Sequence, residues 1–151
     1  HLIVWKNDAV SKARYLEHLR TVPMFSNCTK KQLDQVARIV TELKIDKGTT
    51  LMVEGEMVHE FVIIESGTAS VRRGGRKIAT VGKGDVVGEL ALILRRPRTA
   101  TVVAETDLSI LVVDERSFNA LLDDVPGLAR QLLHTVAERM ADNAKPASLL
   151  H

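Results

Sequence analysis

Residues 68–85 have the sequence TASVRRGGRKIATVGKGD, in which two glycines join two short segments rich in β-branched and small residues. In the first segment Ala69 and Val71 alternate with Ser70 and Arg72, so that apolar and polar side chains would lie on opposite faces of an extended strand. A Gly-Gly pair between two such segments is typical of a β-hairpin. This stretch therefore predicts two paired strands with a charged tip.

The same pattern extends over residues 39–114, where turns containing glycine separate short β-branched segments. These segments are TTLMV, EFVIIES, TASVRR, KIATV, TATVVA and LSILVV. Many short strands at regular spacing predict a compact antiparallel β-roll of the jelly-roll type. The segment GELALIL, residues 88–94, interrupts the series because it lacks strand alternation and follows two glycines, and it predicts a short helix.

Helical patterns occupy both ends of the chain. The first forty residues are predicted to be helical, and the capping box TKKQ at residues 29–32 begins their second helix. Helix is predicted again after Asp114, a favoured N-cap residue, with a break at Pro126 and Gly127. The predicted fold is therefore mainly β, with N-terminal helices, the short GELALIL helix and a C-terminal hinge-and-lid helix pair.

The expected domain boundaries follow from these patterns. Residues 1–22 are predicted to form an N-terminal helical segment, residues 23–143 the principal domain, and residues 144–151 a frayed tail.

The composition is that of an ordinary globular protein of 151 residues, with 45% hydrophobic and 26% charged residues. The net charge of +2 is too small to indicate a nucleic-acid or membrane partner. No run of apolar residues reaches the length of a membrane-spanning helix. The single cysteine, Cys28, excludes an internal disulfide and fits a reducing compartment, so we expect a cytoplasmic location.

The segment GDVVGELALILRRPRTA, residues 84–100, combines the features of an anion-binding site. Gly88 would allow the backbone to approach a ligand closely. The amides of Glu89, Leu90 and Ala91 would open the short helix, and unpaired amides at a helix N-terminus attract an anion.

Arg98 and Glu89 restrict the class of ligand further. A guanidinium can hold two phosphate oxygens at once. A carboxylate repels phosphate, but it can accept a hydrogen bond from a hydroxyl, as acidic residues do with a ribose 2′-OH. The two residues together predict a ligand that carries one compact anion and a free hydroxyl nearby. A 3′,5′-cyclic nucleotide has both.

This segment resembles the phosphate-binding cassette of the cyclic-nucleotide-binding domain family, which includes the bacterial catabolite activator protein, cAMP-dependent kinase regulatory subunits and nucleotide-gated channels. The family pattern is [FV]-G-E-[LI]-[AGC]-L, a short gap and [PR]-R-[AST]-A-[TS]-V, and residues 87–92 and 97–102 match its two halves. The resemblance extends from about Pro23 to Met140. Val87 departs from the phenylalanine that is common at its position. The family's ligand is cAMP or cGMP, and no cofactor is implied.

The resemblance implies a role for each matching residue. Glu89 would hold the ribose 2′-OH and Arg98 the cyclic phosphate. The phosphate cradle would be completed by the backbone amides of Leu90, Ala91, Thr99 and Ala100.

The resemblance also implies how the sugar and base are bound. The apolar residues that would line their pocket are Val71, Ala79, Val81 and Val87. A threonine at position 99 would permit cGMP without excluding cAMP. Arg139, on the last helix, matches a position from which some members of the family cover the base.

These features predict a non-catalytic sensor that moves its C-terminal helices when it binds cAMP or cGMP, and that forms a homodimer through the last helix. One alternative is the sensing part of a channel, a kinase or a DNA-binding transcription regulator. The last of these would need a helix-turn-helix after the final helix, and the chain ends within about ten residues of that helix. A cupin-like metalloenzyme, the other alternative, would need a His/Glu cluster that is not evident in the sequence.

Overall fold

A computed structural model describes residues 3–5, 9–22, 25–57, 59–88, 97–125 and 127–141. These ranges contain nine β-strands and four α-helices. In chain order they are β1 Ile3–Trp5, α1 Ala9–Thr21, α2 Lys30–Ala37, β2 Thr41–Ile45, β3 Thr50–Met52, β4 Glu60–Ser66, β5 Ala69–Arg73, β6 Arg76–Val81, β7 Val86–Val87, β8 Thr101–Ala104, β9 Leu108–Asp114, α3 Glu115–Asp124 and α4 Leu128–Ala141.

The strands form two antiparallel sheets. The five-stranded sheet has the order β1-β2-β9-β4-β7, and the four-stranded sheet has the order β3-β8-β5-β6. Strands β5 and β6 form the predicted hairpin, with Gly74 and Gly75 at positive φ in its tip. The arrangement confirms the predicted β-roll with flanking helices.

The first residues of the chain differ from the prediction of helix over the first forty positions. Residues Ile3–Trp5 form strand β1, which pairs antiparallel with β2 from Ile3 opposite Lys44 to Trp5 opposite Glu42. Isoleucine, valine and tryptophan favour extended strands. The helical spacing begins only with Val10, which lies in α1.

The predicted helix caps are present. The Thr29 hydroxyl accepts a hydrogen bond from the Gln32 amide at 3.1 Å, and the Gln32 side-chain oxygen accepts one from the Thr29 amide at 2.9 Å. Asp114 caps α3 by accepting a hydrogen bond from the Ser117 amide at 3.0 Å. Gly127, at φ +79°, separates α3 from α4, in agreement with the predicted break. The predicted GELALIL helix beyond Gly88 and the predicted tail lie outside the described residues.

Two clusters of buried apolar side chains lie on opposite faces of the five-stranded sheet. The helix-side cluster consists of Tyr15, Leu19, Val22, Phe25, Leu33, Val36, Ala37, Val40, Phe61, Ile63, Val86, Leu111, Val113, Phe118, Leu121, Leu128 and Leu132. The roll-interior cluster consists of Ile45, Met52, Val62, Ile64, Ala69, Val71, Val81, Val87, Ala100, Val102, Ala104, Leu108 and Ile110. Alternate residues of β4 enter the two clusters, as the two-residue period of a strand requires.

Ser70 departs from the predicted alternation in β5. It was placed on the polar face opposite Ala69 and Val71, yet it is fully buried. Its hydroxyl donates a hydrogen bond to the Val103 carbonyl at 3.5 Å and accepts one from Arg72 Nε at 3.2 Å. A small hydroxyl can be buried on this face because both of its hydrogen-bonding functions are used.

A chain of polar contacts connects α1 to the five-stranded sheet. The carboxylate of Glu65, which is buried, lies 3.4 Å from His18 Nε2 and accepts a hydrogen bond from the Ser109 hydroxyl at 2.8 Å. The Ser109 hydroxyl in turn accepts a hydrogen bond from Lys44 Nζ at 3.1 Å. These contacts fix the last turn of α1 against β4, β9 and β2.

Candidate functional site

Arg98 is a buried cation at the edge of the roll. Only 7% of its surface is exposed, although a guanidinium is charged at every physiological pH. Its Nη2 donates a hydrogen bond to the Glu60 carbonyl at 2.7 Å. Because burying a charge is costly without hydrogen bonds, this carbonyl at the start of β4 helps to hold the side chain inside the protein.

Gly88 directly follows β7 and lies against the Arg98 side chain. It has φ +94°, a conformation that favours glycine. A Cβ atom at this position would collide with Arg98 Nη1 and would lie 3.3 Å from Arg98 Cζ and 3.2 Å from the methyl carbon of Met52. The lack of a side chain at Gly88 therefore allows the guanidinium to rest on the backbone. The two halves of the predicted cassette meet at this contact.

The backbone of Arg98 is held by the turn between β3 and β4. Its amide donates a hydrogen bond to the Glu56 carbonyl at 2.7 Å, and its carbonyl accepts one from the Gly55 amide at 2.8 Å. Gly55 has φ +89°, as a tight turn through glycine requires. Both the main chain and the side chain of Arg98 are thus fixed by residues that precede or begin β4.

The predicted apolar wall of the pocket belongs to the roll-interior cluster. Val71, Val81 and Val87 are members of this cluster, and Ala79 packs against it. Val71 lies opposite Ala79 on β6 and opposite Val102 on β8. The roll thus brings together these four residues from three different strands. Met52, which approaches Gly88, belongs to the same cluster.

The remaining predicted residues are placed in part. Ala100 is buried in the roll-interior cluster, whereas Thr99 is exposed. The structure describes Arg139 only as a backbone position in α4. The residues predicted to open the cassette helix, Glu89, Leu90 and Ala91, lie outside the described residues.

Three supporting contacts were not predicted from the sequence. The Glu60 carbonyl and the Met52 methyl both approach the Arg98–Gly88 contact. The hairpin tip was predicted to be only an exposed charged turn, but Arg73 Nε donates a hydrogen bond to the Thr99 carbonyl at 3.0 Å. The turn signal Glu54-Gly55 was visible in the sequence, whereas a contact made by a main-chain carbonyl leaves no signal in residue types.

A separate cavity of about 110 Å³ lies between β2, β3, β4 and β9, and Glu60 and Val62 are among the residues that line it. None of the predicted site residues lines it. Pockets for small molecules usually have volumes above about 300 Å³, so this cavity is too small for a nucleotide.

The described part of the chain contains no group of three or more His, Cys, Asp or Glu side chains arranged to hold a metal ion. Its helices include none with the length and apolar character needed to cross a membrane.

The sequence profile of the cyclic nucleotide-binding domain matches residues 42–125, a range that contains Gly88, Arg98, all but the first residue of β2, and the strands β3 to β9. The chain belongs to the cyclic nucleotide-binding domain family.

The relatives include kinase regulatory subunits. The cAMP-dependent protein kinase regulatory subunit of Colletotrichum orbiculare is 34% identical over 131 residues, which cover 85% of this chain and 34% of that protein. This chain spans about a third of the length of the kinase regulatory subunits that it matches.

Solved structures share the fold. The N-terminal domain of a transcriptional regulator from Streptomyces coelicolor A3(2) has a TM-score of 0.74 and 29% identity, covering 85% of this chain and 96% of that one. A cyclic nucleotide-binding domain from Methylobacillus flagellatus has a TM-score of 0.79, with coverage of 95% and 83%. At 20% identity the second likeness establishes the fold alone.

Proposed function

We propose that this domain binds a 3′,5′-cyclic nucleotide, cAMP or cGMP, and regulates an effector without catalysing a reaction. The observation that carries the proposal is the burial of the Arg98 guanidinium against Gly88, where the two halves of the cassette meet. The family to which the chain belongs supports the class of ligand.

The charge of Arg98 suits a cyclic phosphate. This phosphate is a compact monoanion, and the guanidinium offers donors in a planar fork that matches two phosphate oxygens. Burial of Arg98 strengthens such an interaction, because the effective dielectric constant inside a protein is lower than in water.

The other roles in this proposal rest on the resemblance to the family. Glu89 accepts a hydrogen bond from the ribose 2′-OH, and the amides of Leu90, Ala91, Thr99 and Ala100 complete the phosphate cradle. The position of Ala100 in the roll-interior cluster, next to Arg98 in the chain, supports its part in this assignment.

The same proposal assigns the contacts with the base. The apolar wall formed by Val71, Ala79, Val81 and Val87 packs against the sugar and base, which their shared cluster supports. Thr99 admits guanine as well as adenine, and its exposure leaves it accessible to a ligand. Arg139 covers the base from α4.

The proposed output is a movement of the C-terminal helices. Phe118 and Leu121 attach α3 to the helix-side cluster, and Gly127 separates α3 from α4. A ligand shifts such an arrangement only by binding one state more tightly than the other. We expect α4 to exchange its amide hydrogens more slowly with nucleotide than without it, since exchange reports local opening.

The proposed effector is a protein kinase, because the relatives of this chain include several kinase regulatory subunits. A second candidate is a transcription regulator, which the likeness to the Streptomyces coelicolor domain supports. In either case we propose that the domain itself does not contact nucleic acid. Leu133, an apolar side chain on α4 that is 55% exposed, supports a homodimer through this helix.

Titration calorimetry with cAMP, cGMP and 5′-AMP tests the binding proposal. We expect saturable binding of at least one cyclic nucleotide at one site per chain. We expect weaker binding of 5′-AMP, which has the same base as cAMP but an open, dianionic phosphate. Failure of both cyclic nucleotides to bind, or binding of 5′-AMP as tight as that of the preferred cyclic nucleotide, would contradict the proposal.

A further inference from the structure

The tip of the β5–β6 hairpin contacts the second half of the cassette, residues 97–102. Arg73, the last residue of β5, donates a hydrogen bond from Nε to the Thr99 carbonyl at 3.0 Å. Thr99 directly follows Arg98, so this bond acts on the main chain next to the buried guanidinium. Arg73 itself is exposed. It is therefore in a position to fix the path of the chain at Arg98 from outside the roll.

The turn between β3 and β4 contacts both the hairpin tip and the same segment. The Glu54 carboxylate accepts a hydrogen bond from the Gly74 amide at 3.0 Å, and the Glu54 amide donates one to the Thr101 hydroxyl at 3.0 Å. The adjacent Gly55 and Glu56 form the two main-chain hydrogen bonds with Arg98. Turn, tip and the segment from Arg98 to Thr101 thus form a closed set of contacts in which each part is bonded to the other two.

This closed set of contacts surrounds the main chain from which the guanidinium extends. The turn holds the main chain of Arg98 directly, and the tip holds that of the next residue, Thr99. The Arg98 side chain ends on the Glu60 carbonyl. A binding group must be held within a fraction of an ångström, because small misplacements weaken the interaction with a ligand strongly.

We propose that Glu54 and Arg73 are positioning residues, which set the affinity for the cyclic phosphate by fixing the main chain at Arg98. The inference rests on the proposed function. It adds two exposed residues, neither of which belongs to the cassette, to those that determine affinity. It also gives the charged hairpin tip a function. In that function the hydrogen bond from Arg73 to the Thr99 carbonyl matters more than the positive charge of Arg73.

The variants that test this proposal separate hydrogen bonding from charge. Glu54→Ala removes the acceptor for the Gly74 amide, whereas Glu54→Gln keeps an oxygen in the same place and removes the charge. Arg73→Ala removes the bond to the Thr99 carbonyl. Lys77→Ala is the matched control: it removes a positive charge from the same hairpin, but Lys77 pairs with Glu105 at 2.7 Å and not with the cassette.

Calorimetry with the cyclic nucleotide that binds the wild type gives the first measurement. We expect Glu54→Ala and Arg73→Ala to weaken binding about three- to tenfold, the effect of one lost hydrogen bond. We expect Glu54→Gln and Lys77→Ala to stay within about twofold of the wild type, as exposed charges contribute little. Equal losses for Arg73→Ala and Lys77→Ala, or for Glu54→Gln and Glu54→Ala, would overturn the proposal.

Amide hydrogen exchange of the ligand-free protein gives a second measurement. The amides of Gly55 and Arg98 are both donors within the closed set, so we expect faster exchange in Glu54→Ala and Arg73→Ala but not in Lys77→Ala. Unchanged exchange in both variants would overturn the positioning role, as would faster exchange without any loss of affinity. If the wild type binds no cyclic nucleotide, the proposed function fails, and the exchange result still decides whether Glu54 and Arg73 fix the segment at Arg98.

Discussion

The two clusters on either side of β4 differ in the size of their side chains. The three phenylalanines and the single tyrosine of the chain all belong to the helix-side cluster, and the described residues of the roll-interior cluster include no aromatic one. Phe61 and Phe118 meet edge to face in the helix-side cluster, with ring centroids 5.1 Å apart. The cluster next to Arg98 is formed mainly by short aliphatic side chains, such as Val71 and Val87.

This difference suggests that one cluster mainly supports stability and the other mainly supports binding. Large aromatic side chains contribute most to folding when they are buried, so the helix-side cluster should dominate the free energy of unfolding. Short side chains beside a buried arginine leave room for a ligand, so the roll interior and its edge should determine affinity. Substitutions on the two sides of one strand should therefore have different consequences.

Phe61→Ala should have the largest effect on stability. It removes a fully buried ring and its contact with Phe118, and such substitutions cost about 3–5 kcal/mol of unfolding free energy. Urea unfolding measures the loss, with Phe61→Leu as a control that retains most of the volume. A loss below about 1 kcal/mol, within the range of a surface substitution, would show that the aromatic cluster does not dominate stability.

A substitution at Gly88 should weaken both stability and binding, because Gly88 lies against Arg98. Gly88→Ala places a side chain at φ +94° and against the guanidinium, and the strained backbone alone costs about 1–3 kcal/mol. Gly84→Ala is a matched control, because Gly84 has φ +88° and a Cβ there would meet no atom within 4 Å. Unfolding and nucleotide binding should both be weakened more by the change at Gly88. Equal effects at the two glycines would mean that the contact with Arg98 is unimportant.

Asp114→Ala should have a smaller effect on the helix side, because it removes the cap of α3. Loss of an N-cap costs about 0.5–2 kcal/mol. Burial raises the pKa of the Asp114 carboxyl, but hydrogen bonds from the Ser117 side chain and amide, together with the charge of Arg116, outweigh burial and lower the pKa below its usual value of 3.8.

The lowered pKa predicts the pH dependence of this contribution. A carboxyl with a lower pKa in the folded state stabilises the protein fully above its unfolded pKa, and the contribution is lost as the pH falls through the folded pKa. The wild type and Asp114→Ala should therefore differ in urea unfolding at pH 7, and the difference should shrink as the pH falls below the usual carboxyl pKa. A difference that persists unchanged in acid would contradict a role for the charged carboxylate.

The smallest expected effect is on the rate of chemical labelling of Cys28, which packs against the helix-side cluster. Burial raises the pKa of its thiol to about 11, so that only about one thiol in a thousand is ionised at pH 8. We expect iodoacetamide to label it slowly in the folded protein and faster in Phe61→Ala, in which the cluster opens more often. Labelling as fast as that of a small free thiol would show that the helix side is open in the wild type.

The sequence predicted those elements whose pattern is local. Strands with apolar runs, such as β4 and β9, were found because their β-branched segments are bounded by turn residues. Strand β2 was not among the predicted segments, because its sequence TELKI includes two charged residues, and Glu42 is nonetheless buried. Strand β7 has only two residues and owes its place to pairing with β4, which no local pattern encodes.

The candidate site likewise has features that residue types predict and contacts that only the fold decides. Gly88 and Arg98 were predicted to serve one anion site, Gly88 by letting the backbone approach the ligand and Arg98 by holding the phosphate. Their contact with each other was not predicted, and the structure shows it. The Glu60 carbonyl beside Arg98 could not be predicted, since every residue has a carbonyl and only the fold decides which one approaches. The hydrogen bond from Arg73 depends on the packing of two distant turns for the same reason.

The central claim is that Arg98, held against Gly88, receives the anionic group of the ligand. It is tested most directly by titrating Arg98→Ala with cAMP and cGMP, beside the wild type and Arg72→Ala, which removes an exposed arginine of the same roll. We expect Arg98→Ala to lose about 2–5 kcal/mol of binding free energy, the range for truncating one member of a buried charge pair. Arg72→Ala should bind as the wild type does. Unchanged affinity of Arg98→Ala for both nucleotides would contradict the account.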